Sequence, residues 1–536
     1  MPVTARIKEI VSVLNAGDAD RATVLAEAAV REGLEHPWLF RMAGQALRRR
    51  GAWGEAAVFL RRGLSLEPKD VLAWLLLADT LKRMRRPRLA IGAYRNAVAV
   101  APDNADAHHG LAESLANTGE VDEARRMFER AVELAPGRPA PRAALATLAV
   151  RIGDPATART HAEAALALQP GDPVALTALA NADLRDGAYE AAETRLRALL
   201  HGSELQPITR AIAQHLLGDV LHAQDRPREA WDAWRSANEG FAEVQGRDFA
   251  AVVETGKAML TRLTERFSGG DWSPAPPAPP VPDGPSVHVF LVGFVRSGTT
   301  LLEQVLAAHP QVVALDEKPT LAKAEQLLIY APGGLERLET LDPDTATRLR
   351  ADYWQVVRDH GVEPRGKVFI DKMPMATVDL PLIERLFPDA LILFAKRDPR
   401  DVVLSAFRRM FRPNAATFQM LTAEGAAALY DRVMRLAEAY RRILPLRLRD
   451  VRYEDLVADF EGETRSICAF LGLDWHEDVR AFAAKAAARE VSTPSAVQIR
   501  KGLYKDGAGQ WRAYAEQLAP VMPVLAPWVE RFGYAP

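Results

Sequence analysis

A single cysteine, Cys468, stands in 536 residues, so an intramolecular disulfide and a cysteine-rich zinc site are both excluded. It sits in Ile467-Cys468-Ala469-Phe470-Leu471, an apolar stretch that reads as core packing. Charge of either sign is not in excess: 68 Lys+Arg against 70 Asp+Glu give a formal net charge of −2. That balance supplies no electrostatic case for wrapping nucleic acid or for a polybasic membrane anchor. No apolar run approaches the ~18 residues of a membrane span. Arg6, Lys8 and Glu9 interrupt the N-terminus before a signal-peptide core could form. The expectation is a cytoplasmic protein with neither nucleic acid nor membrane as partner.

The length points to two or three domains. Pro68, Pro102, Pro136 and Pro170 are spaced 34 residues apart. Ala56, Ala90, Ala124, Ala158 and Ala192 keep the same period, as do Ala97, Ala131 and Ala165. Leu60, Tyr94 and Phe128 recur in a third register, and Gly51, Gly119, Gly153 and Gly187 in a fourth, where Arg85 stands in once. Small residues let paired helices approach, glycine turns the chain, and proline stops the second helix. The pattern resembles tetratricopeptide repeats. A degenerate first repeat surrounds Gly17, Ala22 and Ala29, and a last one follows Pro207 with Gly218, Leu221, Ala230, Trp234 and Ala237.

Residues 273–285 hold seven prolines and read as a semi-rigid polyproline spacer. The expected organisation is a solenoid over 1–268, a linker over 269–285 and a second domain over 286–536. In the second domain, short strands are expected at 287–292, 368–370 and 391–394, with helix-length segments between them. That alternation predicts an α/β domain with a central parallel sheet behind an all-α solenoid.

The first strand runs into Gly293-Phe294-Val295-Arg296-Ser297-Gly298-Thr299-Thr300. The spacing matches a P-loop, in which backbone N–H groups and a helix N-terminus cradle phosphate. The usual lysine is Thr299 here, which tells against triphosphate chemistry. Arg296 offers a different cation.

These residues resemble the 5′-phosphosulfate loop of sulfotransferases that use 3′-phosphoadenosine 5′-phosphosulfate (PAPS), in the R-S-G-T-T form of the tyrosylprotein branch. Further segments follow in that family's order. Ala307-Ala308-His309-Pro310 closes the next helix, and Asp316-Glu317 comes soon after, with Glu317 at the position of the branch's base. Asp371-Lys372-Met373-Pro374 carries the lysine that meets the co-substrate. In Lys396-Arg397-Asp398-Pro399-Arg400-Asp401 and Ser405, Arg397 and Ser405 match the 3′-phosphate pair. Tyr453 matches a tyrosine near the nucleotide. Ser495, with Gln498 three residues on, and Arg500-Lys501-Gly502 match elements that close over it. Gln510 departs from the pattern, which has a lysine there, and this puts in doubt which basic residue of the segment meets the nucleotide.

The resemblance implies PAPS as co-substrate and no metal. Arg296 would hold the sulfonate, and N–H groups from Ser297, Gly298, Thr299 and Thr300 would surround the 5′-phosphate. Lys372 would serve the leaving phosphate, while Arg397, Ser405, Arg500 and Lys501 would take the 3′-phosphate. Glu317 is favoured as base over Asp316, which reads equally as a solvated turn residue, and over His309, which reads more readily as a helix-end cap. Arg408-Arg409 is either an exposed helix face or part of the nucleotide site. The repeats are expected to recruit a protein or peptide, whose hydroxyl is the favoured acceptor; carbohydrate and small-molecule acceptors stay open, as does the oligomeric state. Two rival readings are a P-loop kinase or NTPase with Asp371 ending its second strand, and a repeat scaffold carrying an inactive domain.

Overall fold

The computed structural model describes residues 3–202, 204–277, 284–411, 413–487 and 507–536. They form two compact units, Met1–Ser203 and Glu204–Pro536.

The first unit is a helical solenoid of twelve described helices, from Val3–Asn15 to Tyr189–Gly202. The periodic alanines at 56, 90, 124, 158 and 192 are wholly buried, and Leu60, Tyr94 and Phe128 cover them. A Cβ on Gly44 would lie 2.8 Å from Leu60 Cγ, so the close approach of these helices requires glycine. The turn position takes left-handed backbone in every full repeat, with φ 95° at Gly119 and 56° at Arg85. No described helix is long and apolar enough to cross a membrane.

The second unit opens with two helices of the same pattern, Pro207–Ala223 and the long Pro227–Phe267. Five parallel strands follow: β1 Val287–Gly293, β2 Val312–Asp316, β3 Val368–Lys372, β4 Leu391–Lys396 and β5 Arg447–Arg452, in the order β2-β3-β1-β4-β5. The central strands β1, β3 and β4 are apolar and buried, as a sheet covered on both faces requires. Edge strand β5 carries Arg447, Arg449 and Arg452 and is exposed or half-buried except at Val451.

The expected boundary at 269–285 is not where the chain separates into compact units. The helix pair 207–267 packs on the α/β layers instead. Trp231 lies against Phe407 with centroids 4.3 Å apart, Phe249 stacks on Phe418 at 5.4 Å, and Phe267 meets Tyr440 at 4.9 Å. The start of the proline-rich segment is tied down too: Trp272 Nε1 and Ala275 N–H donate to the Glu384 carboxylate at 2.7 and 2.9 Å.

Candidate functional site

Because all five strands run one way, their carboxyl ends share one edge, and whatever follows each strand converges there. The register sets the neighbours: Asp316 pairs with Lys372, Gly293 with Ala395, and Lys396 with Arg452. Segments far apart in sequence thus meet for a topological reason.

The loop after β1 has the expected form. A Cβ on Gly293 would lie 2.6 Å from the Ala395 carbonyl, and one on Gly298 2.8 Å from Tyr453 Cδ2. Glycine is required at both by close approach. Ser297 N–H closes the loop on Phe294 O at 3.2 Å, so it serves the turn. The helix Thr299–Ala307 then begins, its first internal bond running from Leu302 N–H to Gly298 O, and its opening N–H groups precede that ladder. Thr299 and Thr300 are buried.

Arg296 stands at the loop tip with φ 69°. Its Nε donates to Ser405 Oγ at 2.9 Å, and its carbonyl accepts from Arg397 Nη1 at 3.0 Å. Burial and the charges of Arg409, Arg397 and Arg408 push Arg296 well below the usual arginine range, with Glu317 acting against them. Four guanidinium groups therefore share this end of the sheet. Arg397 lies 5.0 Å from the Tyr453 ring centroid and also donates to Gly507 O. Its Nε is buried and has no hydrogen-bond partner among the described residues. Such a donor, beside like charges, suits an anion.

On the other side of the loop, Lys372 is fully buried among three carboxyl groups. Its Nζ is 2.7 Å from Glu317 Oε1, 3.6 Å from Glu303 Oε2, and paired with Asp316. Burial alone would lower the lysine's pKa, but the three carboxyl groups outweigh it and hold it above its usual value. Glu317 is clamped twice by the same residue, since its own N–H donates to the Lys372 carbonyl at 2.9 Å. It adopts φ 48° and is the most open of the three acids, with 41% of its side chain exposed against 19% for Asp316 and 4% for Glu303. Only Glu317 combines contact with Lys372 and ready access for a reactant.

His309 is not placed to act as a base. It is buried, its Nδ1 accepts from Gln311 N–H at 3.1 Å, and its Nε2 is 3.0 Å from the Asp474 carbonyl. Nδ1 serves the helix end and Nε2 a distant main-chain carbonyl. Asp371, on the opposite side of β3 from Lys372, accepts from Thr320 Oγ1 at 2.7 Å and Tyr353 OH at 2.8 Å. Burial raises its pKa to about 6. Ser495, Arg500, Lys501 and Gly502 lie outside the described residues. The segment after them is held by Asp401, which accepts from the N–H groups of Gly509 and Trp511 at 2.6 and 2.8 Å. Gln510, the departure noted in the sequence, accepts from Arg408 at 2.6 Å.

Glu303 and Arg408 are the residues that sequence reasoning undervalued. Glu303 belongs to a helix whose nine residues are all buried, so a glutamate there cannot reach water, and this was the available signal. Burial raises its pKa to about 8; Lys372 opposes the rise while Asp316 and Glu317 add to it. The sign of the consequence is defined. An acid whose folded pKa stands above its unfolded value favours folding below the unfolded value and loses that contribution as pH rises through the folded one. The wild-type protein should lose up to ~1.4 kcal/mol of stability per pH unit to this group between about pH 5 and 8. Glu303→Gln should flatten that slope. Parallel pH dependence of the two proteins in denaturant titrations would show that Glu303 is ionised throughout.

Residues 288–477 match the family model described as the sulfotransferase family, and tetratricopeptide repeat models match 37–80, 75–139 and 139–182. The chain thus carries a sulfotransferase-family domain together with tetratricopeptide repeats. It is 26% identical over 341 residues to an uncharacterized protein of Aquifex aeolicus, covering 62% of this chain but only 43% of that one. It is 26% identical over 305 residues to protein-tyrosine sulfotransferase 1 of Danio rerio, covering 53% of this chain and 82% of the relative. For the Homo sapiens protein-tyrosine sulfotransferase 1 the figures are 26% over 294 residues, 52% and 77%.

Proposed function

We propose that the second unit transfers a sulfuryl group from PAPS to an acceptor hydroxyl, with Glu317 as base, Lys372 as the cation at the leaving phosphate and Arg296 at the sulfonate. The observation that carries this reading is the ion pair of buried Lys372 with the more open Glu317, which shares one sheet edge with the Arg296–Ser405 contact and Arg397. PAPS supplies the sulfuryl group: the acceptor oxygen bonds to sulfur as the bond from sulfur to the 5′-phosphate oxygen breaks. Glu317 takes the acceptor's proton, and Lys372 meets the negative charge left on the phosphate. Arg397, with its orphaned Nε, Ser405 and Tyr453 fit a second phosphate group, the 3′-phosphate. Ser495, Arg500, Lys501 and Gly502 belong to the same proposal. A kinase reading is less favoured, because Thr299 replaces the phosphate-loop lysine and Asp371 is engaged by two hydroxyls.

Repeats of this kind serve protein–protein interaction in general, and in this reading they present a protein or peptide acceptor, in the cytoplasm, to the second unit. The donor assignment is tested by thermal shift. Adenosine 3′,5′-bisphosphate at about 100 times its Kd should stabilise the protein by ~2.7 kcal/mol. Adenosine triphosphate with magnesium should do much less, and equal or greater stabilisation by it would favour the kinase.

A further inference from the structure

We infer that the helix pair 207–267 forms part of the candidate site, and that His222 is a positioning residue that aims Arg408 at the 3′-phosphate end of the nucleotide. The inference rests on the PAPS reading above and adds to it a structural element that the repeat pattern had assigned to the solenoid.

Arg408 follows the helix Pro399–Phe407 and comes three residues after Ser405. Its Nη1 donates to His222 Nε2 at 3.1 Å and its Nη2 to Gln510 Oε1 at 2.6 Å. The guanidinium lies 5.9 Å from the Trp234 ring centroid. The main chain at this point is held by the same two helices: His215 Nε2 reaches the Arg408 carbonyl at 3.0 Å, and Asn238 Nδ2 donates to the Phe407 carbonyl at 3.0 Å. Three polar side chains of the helix pair therefore end on two consecutive residues.

The chemistry of His222 defines its tautomer. Because Nε2 accepts from a guanidinium, the ring proton is on Nδ1, which donates to Tyr514 OH at 2.8 Å. Burial, and then Arg408, lower the His222 pKa to about 4, so the ring is a neutral acceptor throughout the physiological range. A neutral acceptor orients Arg408 without cancelling its charge, whereas a carboxylate would neutralise it. Gln510 is likewise neutral. Burial lowers the Arg408 pKa; Asp219 and Tyr514 act against that, while Arg397 and Arg409 add to it, so like charge still crowds this guanidinium. Like charges gathered in this way are relieved by a polyvalent anion, which the bisphosphate end of the nucleotide provides.

The test uses the full-length protein and two probes, adenosine 3′,5′-bisphosphate and adenosine 5′-monophosphate, with Kd measured by calorimetry. His222→Ala should weaken the bisphosphate about tenfold while changing the monophosphate by less than about twofold. His222→Gln, which retains an acceptor for Arg408, should recover most of the loss. Arg408→Gln should give the same selective defect, and it keeps the inference testable if His222→Ala folds poorly. Equal losses on both probes would reduce His222 to a packing residue, and no loss on either would remove Arg408 from the site. If the wild-type protein does not prefer the bisphosphate, the PAPS reading itself fails, and this inference with it.

Discussion

Lys372→Met should lower kcat about a hundredfold or more while leaving the Kd of adenosine 3′,5′-bisphosphate within a few fold. Methionine retains most of the side-chain volume but leaves Asp316, Glu317 and Glu303 without their shared cation. Breaking a buried pair in this way costs about 3–5 kcal/mol of stability, so turnover must be compared at a temperature where the variant is folded. Glu317→Gln should match the kinetic loss with little destabilisation, because Glu317 is the most open of the three acids. Arg397→Ala and Ser405→Ala should act differently, raising the donor KM with a smaller effect on kcat. His309→Ala should turn over nearly normally once folded, since both ring nitrogens of His309 hold main-chain groups. Normal turnover by Glu317→Gln alongside an inactive His309→Ala would reverse the assignment of the base.

The second large effect is expected from truncation. A fragment of residues 204–536 should fold cooperatively and bind adenosine 3′,5′-bisphosphate, whereas a fragment of residues 286–536, cut where the prolines suggest, should not. Trp234, Phe249, Phe267 and Trp272 are all buried in the intact unit. Burial of each large side chain contributes roughly 2–3 kcal/mol. Together that is comparable to the ~5–15 kcal/mol that separates most folded proteins from unfolding. The shorter fragment loses these residues and Trp231, and exposes the faces of Phe407, Phe418 and Tyr440 that Trp231, Phe249 and Phe267 cover. Fragment 204–536 should also show a raised KM for an acceptor that the repeats recruit, with unchanged nucleotide affinity. Equal melting temperatures and nucleotide affinities for the two fragments would show that the helix pair is dispensable.

The sequence was informative where periodicity or a strand-end motif repeats a local rule. The alanine registers placed the helix pairs, and Arg85 was rightly read in a glycine position. The three central strands were legible as short β-branched runs. Strand β2 was not, being a brief apolar segment after a helix-end proline, and β5 was not, because an edge strand reading Arg-Leu-Arg-Asp-Val-Arg lacks an apolar signature. The division into compact units, which falls after Ser203, was not legible for a related reason. Proline marks a stretch that cannot join a helix, but it says nothing about what the preceding helix packs against. At the site, Glu317, Lys372, Arg296, Arg397 and Ser405 all meet at one sheet edge. The Glu303 contact with Lys372 and the His222 contact with Arg408 are tertiary, spanning 69 and 186 residues, and no local pattern encodes such pairs.

The packing of the helix pair also bears on how the chain is made. The helices of the first unit pack mostly on near neighbours in sequence and can close as they leave the ribosome. The two helices after them close on each other, but their other face has to wait. Asn238 waits for Phe407, 169 residues later, and His222 for Tyr514, 292 residues later. At ~5–20 residues per second that second wait is roughly 15–60 s. Within it, Trp231, Phe249 and Phe267 lack their partners until Phe407, Phe418 and Tyr440 are made. Until then the nascent chain carries an open aromatic helix face, a natural substrate for chaperones, and the docking of Tyr514 on His222 is one of the last contacts to form.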